Sequence, residues 1–147
     1  MKLQTKFKET IEVYDSDILH FEQGIPGFEV ERQFVLIPLE GTPFSILQSI
    51  LTTELAFVTA DPFVFFKQYD FELQASIQEQ LQIKKPADVF VQVIVTVADQ
   101  FEKSTANLQA PLILNMGKKI GKQVVLLDSN YQTRHLLTES SFTGQEG

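Results

Sequence analysis

Valine stands at every second position from Val89 to Val97. Only a strand puts alternate side chains on one face, so this spacing predicts a long β-strand and opposes a helix. The opposite face carries Phe90, Gln92, Ile94 and Thr96. It is more polar, and is expected to be only partly covered. The whole apolar run, Val89 to Ala98, is about half of the ~20 residues that a membrane-spanning helix needs.

Other segments repeat the pattern in shorter form. Leu3, Thr5 and Phe7 alternate with lysines, and Ile11 and Val13 continue after a bend. Ile18 to Phe21, Phe34 to Ile37, Phe44 to Ile50 and Leu55 to Thr59 are short strands parted by Gly, Pro and Asp. Asp61-Pro62 marks a turn before the aromatic run Phe63 to Phe66. Leu112 to Asn115 and Gln123 to Leu127 form a hairpin around Gly117 to Gly121.

One helix is predicted, from about Asp70 to Ile83. Leu73, Ile77 and Leu81 fall at i, i+4 and i+8, with Gln74, Gln78, Glu79 and Gln82 largely opposite. Asp70 is a plausible N-cap, Pro86 closes the exit, and the stripe is read as a lid on a core. The fold class is therefore mainly β, a small antiparallel barrel-like or sandwich domain with one lateral helix. Connections of a few residues leave no room for repeated crossover helices. No linker or repeat interrupts Met1 to Thr138, so a single domain is expected over 1–138, with a flexible tail over 139–147.

The chemistry of most enzymes finds no foothold in this chain. There is no cysteine, which removes disulfides, thiolate metal sites and thiol nucleophiles together. His20 and His135 are the only histidines and are far apart in sequence. Gly117-Lys118-Lys119-Ile120-Gly121-Lys122 has one residue too few between its glycines for a phosphate loop, and Gln123 replaces the magnesium-binding hydroxyl, so a basic hairpin turn is expected. Asp15-Ser16-Asp17 begins like a calcium loop but continues Ile18-Leu19-His20, without a third oxygen ligand. No cofactor and no metal are expected. The net charge of −7 disfavours direct nucleic-acid binding and suits a basic protein partner. Met1 to Thr10 lacks the apolar core of a secretory leader, so neither export nor a membrane is expected.

Four stretches together carry a recognisable order. They are Phe21-Glu22-Gln23-Gly24-Ile25-Pro26-Gly27-Phe28-Glu29; Pro43-Phe44-Ser45-Ile46-Leu47-Gln48-Ser49; Ala56-Phe57 with Asp61-Pro62; and Thr105 to Asn115 leading into Gly121-Lys122-Gln123-Val124-Val125-Leu126. From Leu3 to about His135 the chain resembles the FliW family of flagellar assembly factors. The resemblance implies a cytoplasmic, non-catalytic protein with two protein partners, flagellin and the translational regulator CsrA. It further implies a partner switch. Flagellin occupies the factor and leaves CsrA free to repress flagellin mRNA; secretion of flagellin returns the factor to CsrA and relieves repression.

Candidate partner-binding residues come from the same stretches. Glu22, Phe28 and Glu29 lie in the first, Gln48 in the second, Asp61 in the third and Asn107 in the fourth. Gly24 and Gly27 around Pro26 suit a tight turn that projects Phe28 and Glu29. Phe44 and Phe57 are read as core. Two other classes compete with this reading: a small-molecule enzyme using carboxylates with Tyr14, Tyr69 or Tyr131, and a passive module of a larger assembly.

Overall fold

A computed structural model describes residues 1–127 and 129–139. Most of the tail expected to fray, residues 140–147, lies outside the described residues. The chain opens with a small antiparallel hairpin, β1 (Lys2–Gln4) and β2 (Thr10–Glu12), which forms its own two-stranded sheet. It then builds β3 (Leu19–His20), β4 (Gln33–Pro38), β5 (Phe44–Ser49) and β6 (Ala56–Ala60). Two short helices follow, α1 (Pro62–Phe65) and α2 (Ala75–Gln80). The rest comprises β7 (Phe90–Thr96), β8 (Thr105–Ala106), β9 (Leu112–Asn115), β10 (Ile120–Gln123) and β11 (His135–Leu136).

Seven of these strands close into a barrel. Antiparallel pairing runs β3–β4–β5–β6–β7, then β7 pairs β9, β9 pairs β10, and one parallel bridge, Ile120 to His20, returns to β3. Closure leaves fewer unpaired sheet edges, the usual solution for a small all-β chain. Register decides which residues face inward. Leu19 opposes Phe34, Leu36 opposes Leu47, Leu47 opposes Phe57, Thr59 opposes Ile94, and Gln92 opposes Leu112. The resulting interior packs Leu19, Phe21, Ile25, Phe34, Leu47, Leu112 and Leu114 together. Each such side chain contributes about 1.5–3 kcal/mol by leaving water. Gly121 is small for a reason: a Cβ there would lie 2.6 Å from Leu114 Cδ2 and 2.8 Å from Phe21 Cζ.

The alternating valines divide as predicted, but the second face is not the open one. Val93 and Val95 point outward into a cluster of Ala60, Phe66, Tyr69, Leu108 and Leu126. Gln92 and Ile94 point into the barrel, where Gln92 is buried and its Oε1 accepts 2.7 Å from Thr59 Oγ1. Only the ends of that face, Phe90 and Thr96, are exposed. A third cluster seats the β1–β2 hairpin, with Leu3 and Val13 against Val35.

The lateral helix is present but shorter than its hydrophobic stripe. Asp70 does not cap it. The Asp70 N–H instead donates 3.0 Å to the Tyr131 hydroxyl, while Tyr131 stacks edge-on against Tyr69 at 4.7 Å, holding this stretch outside the helix. The N-cap is Gln74, which makes no side-chain capping bond. At the other end Gln82 adopts φ 55°, with Gln82 N bonding Glu79 O and Ile83 N bonding Gln78 O. These two bonds form a Schellman stop with glutamine in the position glycine usually takes. The stripe still faces inward, with Leu81 buried and Leu73 and Ile77 half-buried. The aromatic run after the Asp61-Pro62 turn forms α1, a second helix beyond the one predicted: Asp61 Oδ1 accepts 2.9 Å from Phe63 N, and Pro62 sits where a missing N–H costs nothing. The hairpin after β9 turns earlier than expected, so β10 begins at Ile120, and Val124 to Leu127 continue beyond it.

Candidate functional site

The loop between β3 and β4 is a compact knot. Phe21 N bonds Arg32 O at 2.8 Å, closing its base. Inside it, Gly24 N bonds Phe21 O, Phe28 N bonds Ile25 O and Glu31 N bonds Phe28 O. Ile25 drops its side chain into the barrel core. Gly24 and Gly27 have φ of +68° and +89°, as their motif predicts. At Gly24 there is also no room, since a Cβ would meet the Glu29 carbonyl oxygen at 2.6 Å.

Glu31 anchors this loop to its neighbour. It is buried, and its two carboxylate oxygens accept from Ser49 Oγ at 2.5 Å and Thr52 Oγ1 at 2.6 Å. Ser49 Oγ in turn accepts from the N–H groups of Leu51 and Thr52. The β3–β4 loop and the β5–β6 turn are thus held as one unit. Nothing local in the sequence marks Glu31 for this role, because both hydroxyls that bind it lie about twenty residues away.

This unit presents an unusual surface. Val30 is 77% exposed, Leu51 is 72% exposed, and Phe28 is 41% exposed. The inner side of the Phe28 ring packs edge-on against Phe57 at 5.6 Å. Phe28 therefore belongs partly to the barrel mouth and partly to the surface. Glu22 and Glu29 are exposed on the same loop. Gly27 N–H donates 3.0 Å to Glu29 Oε2, and that bond holds the Glu29 carboxyl below its ordinary pKa. Val30 and Leu51 line one side of an open cleft of about 580 Å³, whose other walls include Glu22, Arg32, Leu81 and Lys122.

Of the six residues proposed from sequence, Glu22, Phe28 and Glu29 are exposed on the β3–β4 loop. The other three lie elsewhere and hold turns. Gln48 is fully buried: its Oε1 accepts 2.9 Å from Lys6 N, and its Nε2 lies nearest Thr53 O at 3.0 Å, with Ser49 O and Leu55 O at 3.2 Å. It has no surface with which to meet a partner, and it ties β5 to the β1–β2 hairpin and to the β5–β6 turn. Asp61 caps α1 as described. Asn107 Oδ1 accepts from Gln109 N at 3.1 Å and Ala110 N at 3.0 Å, forming the turn into β9.

Two of the three tyrosines of the enzyme reading are engaged within the fold, whereas Tyr14 is 64% exposed. Tyr69 donates 2.7 Å to Leu108 O, and its burial raises its pKa far above the ordinary tyrosine value, with the neighbouring Tyr131 adding to the shift. Tyr131 accepts from Asp70 N. His135 Nε2 accepts 2.9 Å from Gln132 N. No helix among the described residues is long and apolar enough to cross a membrane.

Comparison with known proteins follows the same outline. A family model described as FliW protein matches residues 2–137. The flagellar assembly factor FliW of Geobacillus kaustophilus is 54% identical over 137 residues, covering 93% of this chain and 95% of that protein. The flagellar assembly factor FliW of Bacillus subtilis is 48% identical over 136 residues, covering 92% and 95%. A crystal structure of the flagellar assembly factor FliW superposes with a TM-score of 0.90 at 51% identity, covering 93% of this chain and 96% of that one.

Proposed function

Since the chain belongs to the FliW family, whose relatives are named flagellar assembly factors, we propose that it works in the cytoplasm by binding rather than by catalysis, with flagellin and CsrA as its two partners. In this reading it acts as a chaperone-like sensor. Flagellin occupies it while unsecreted; once flagellin leaves, the factor captures CsrA and lifts repression of flagellin mRNA translation.

The observation that carries the reading is the braced loop pair. The two loops carry three large exposed apolar side chains, Phe28, Val30 and Leu51, and the exposed carboxylates of Glu22 and Glu29. A central apolar group with a charged rim is the anatomy of a protein interface. The rim carboxylates and the net charge of −7 favour basic partner groups and should speed association at low salt. Asp61, Gln48 and Asn107 support this surface from within the fold or lie away from it.

The test is a binding measurement with purified CsrA and with flagellin, on the parent chain and on a Phe28→Ala, Glu29→Ala double variant. A loss of roughly 1–3 kcal/mol of affinity for one partner is expected from removal of an anchor, in a variant that stays folded at the assay temperature although it loses the Phe28–Phe57 ring contact. Unchanged affinity for both partners in the folded variant removes this loop from the site. Failure of the parent chain to bind either protein overturns the reading itself.

A further inference from the structure

Beyond β10 the chain runs on as an extended strand with one side satisfied and the other open. Val124 N bonds Pro111 O at 2.9 Å and Leu126 N bonds Gln109 O at 2.8 Å, so these residues direct their N–H groups toward the segment before β9. Alternation turns the main chain of the residue between them, Val125, the opposite way. Among the described residues, neither the N–H nor the C=O of Val125 has a hydrogen-bond partner. The β3 strand that flanks this edge stops at His20, where the chain leaves to pair with Arg32. Val125 is 49% exposed and Leu127 is 81% exposed.

Opposite the open edge runs the stretch from Asp70 to Ile77. Between them lies a groove of about 680 Å³, with Phe71, Leu73 and Ile77 on the far wall. Its charges are one-sided. Asp70 and Glu72 are exposed on the far wall and make no ion pair among the described residues, while the only cation lining the groove, Lys122, is bonded to Gln23 on the other side.

We propose that this groove is a docking site for an extended segment of a partner protein, apolar at alternate positions and carrying Lys or Arg, which adds as a strand to the edge from Gln123 to Leu127. The open main chain supplies the register-setting hydrogen bonds. The far wall buries the alternate side chains, and Asp70 and Glu72 meet the basic groups. Edge strands left open are normally blocked by lysine, proline or a covering element. Here the edge residues are Val and Leu, and the covering element stands off across a groove. The inference deepens the binding reading by giving it a second contact surface, and it is tested without either proposed partner so that the two fail separately.

The probe is an acetylated, amidated Lys-Val-Thr-Val-Thr-Val-Lys peptide added to the full chain, read by amide NMR shifts and hydrogen exchange. Shifts confined to Gln123 to Leu127 and Asp70 to Ile77, with exchange of the Val125 amide slowed, are expected. Methylating alternate peptide nitrogens should weaken binding about tenfold or more, as loss of main-chain bonds requires. Val125→Pro should do the same while leaving the melting temperature unchanged, because proline on an open edge removes no existing ladder bond. An Asp70→Asn, Glu72→Gln variant should lose the salt dependence. Absence of shifts at millimolar peptide overturns the proposal, as does equal binding of the methylated peptide. Two results assign the groove to another occupant and also overturn it: protection of Val125 that rises with protein concentration, meaning a second copy, or protection in the free chain that vanishes when residues 140–147 are removed.

Discussion

Replacing Glu31 with alanine should loosen the candidate site before it damages the barrel. Its carboxylate accepts two short hydrogen bonds, from Ser49 at 2.5 Å and Thr52 at 2.6 Å, while almost wholly removed from water. Hydrogen bonds to a charged group contribute about 1.5–3 kcal/mol each. Against them stands the cost of desolvating the carboxylate, which disappears in the variant. A net loss of about 2–4 kcal/mol is expected for Glu31→Ala, or roughly 3 °C of melting temperature per kcal/mol for a chain of this size. Glu31→Gln keeps the shape and can accept from one hydroxyl while donating to the other, so its loss should be nearer 1 kcal/mol. Urea denaturation measures both. Hydrogen exchange should show the amides from Gly24 to Arg32 opening more readily than those of β5 and β6. A Glu31→Ala chain within about 0.5 kcal/mol of the parent, the range of inconsequential surface changes, would refute the idea that this carboxylate holds the two loops together.

Gln48→Ala should cost about 2–4 kcal/mol of stability by stranding Lys6 N–H and the turn carbonyls, yet leave partner affinity of the folded chain within about twofold; a larger affinity loss would return Gln48 to the interface. Gly24→Ala should destabilise more than Gly27→Ala. Both incur the roughly 1–2 kcal/mol of a left-handed residue, but only Gly24 also meets backbone at 2.6 Å, and equal melting temperatures would contradict the packing. For Glu29 the pKa is lowered on folding, so the contribution is present above its unfolded-state pKa and is lost as pH falls through the lowered folded value. An NMR titration of the Glu29 side chain should give a midpoint below that of a peptide spanning Glu22 to Val30, and a midpoint at or above the peptide's would refute the Gly27 bond.

Patterns that depend on near neighbours were readable from residues alone. The alternating valines, the glycines of the β3–β4 loop and the stripe of Leu73, Ile77 and Leu81 each encode a local period or a local φ. What sequence reading misassigned depends on partners far along the chain. Its polarity points Gln92 to a partly open face, yet Thr59, 33 residues earlier, lets it sit inside the barrel. Gln48 drew attention as a polar residue in a shared motif, and only the fold reveals that its partners are Lys6 and the β5–β6 turn. Asp70 had the chemistry of a helix cap but is engaged by Tyr131, 61 residues away. The candidate surface shows the same division: Phe28 and Glu29 were readable as a projected turn, whereas Val30 and Leu51 became part of it only when Glu31 brought two loops together.

In the proposed partner switch, one factor serves two partners in alternation. The switch is tested most directly by titrating flagellin into a preformed complex of this chain with CsrA and following the complex by analytical ultracentrifugation. Reciprocal linkage requires that flagellin weaken CsrA binding by the same factor as CsrA weakens flagellin binding. Release of free CsrA is expected as a complex of the chain with flagellin forms. A stable assembly of all three proteins, with each affinity unchanged by the other partner, would contradict it.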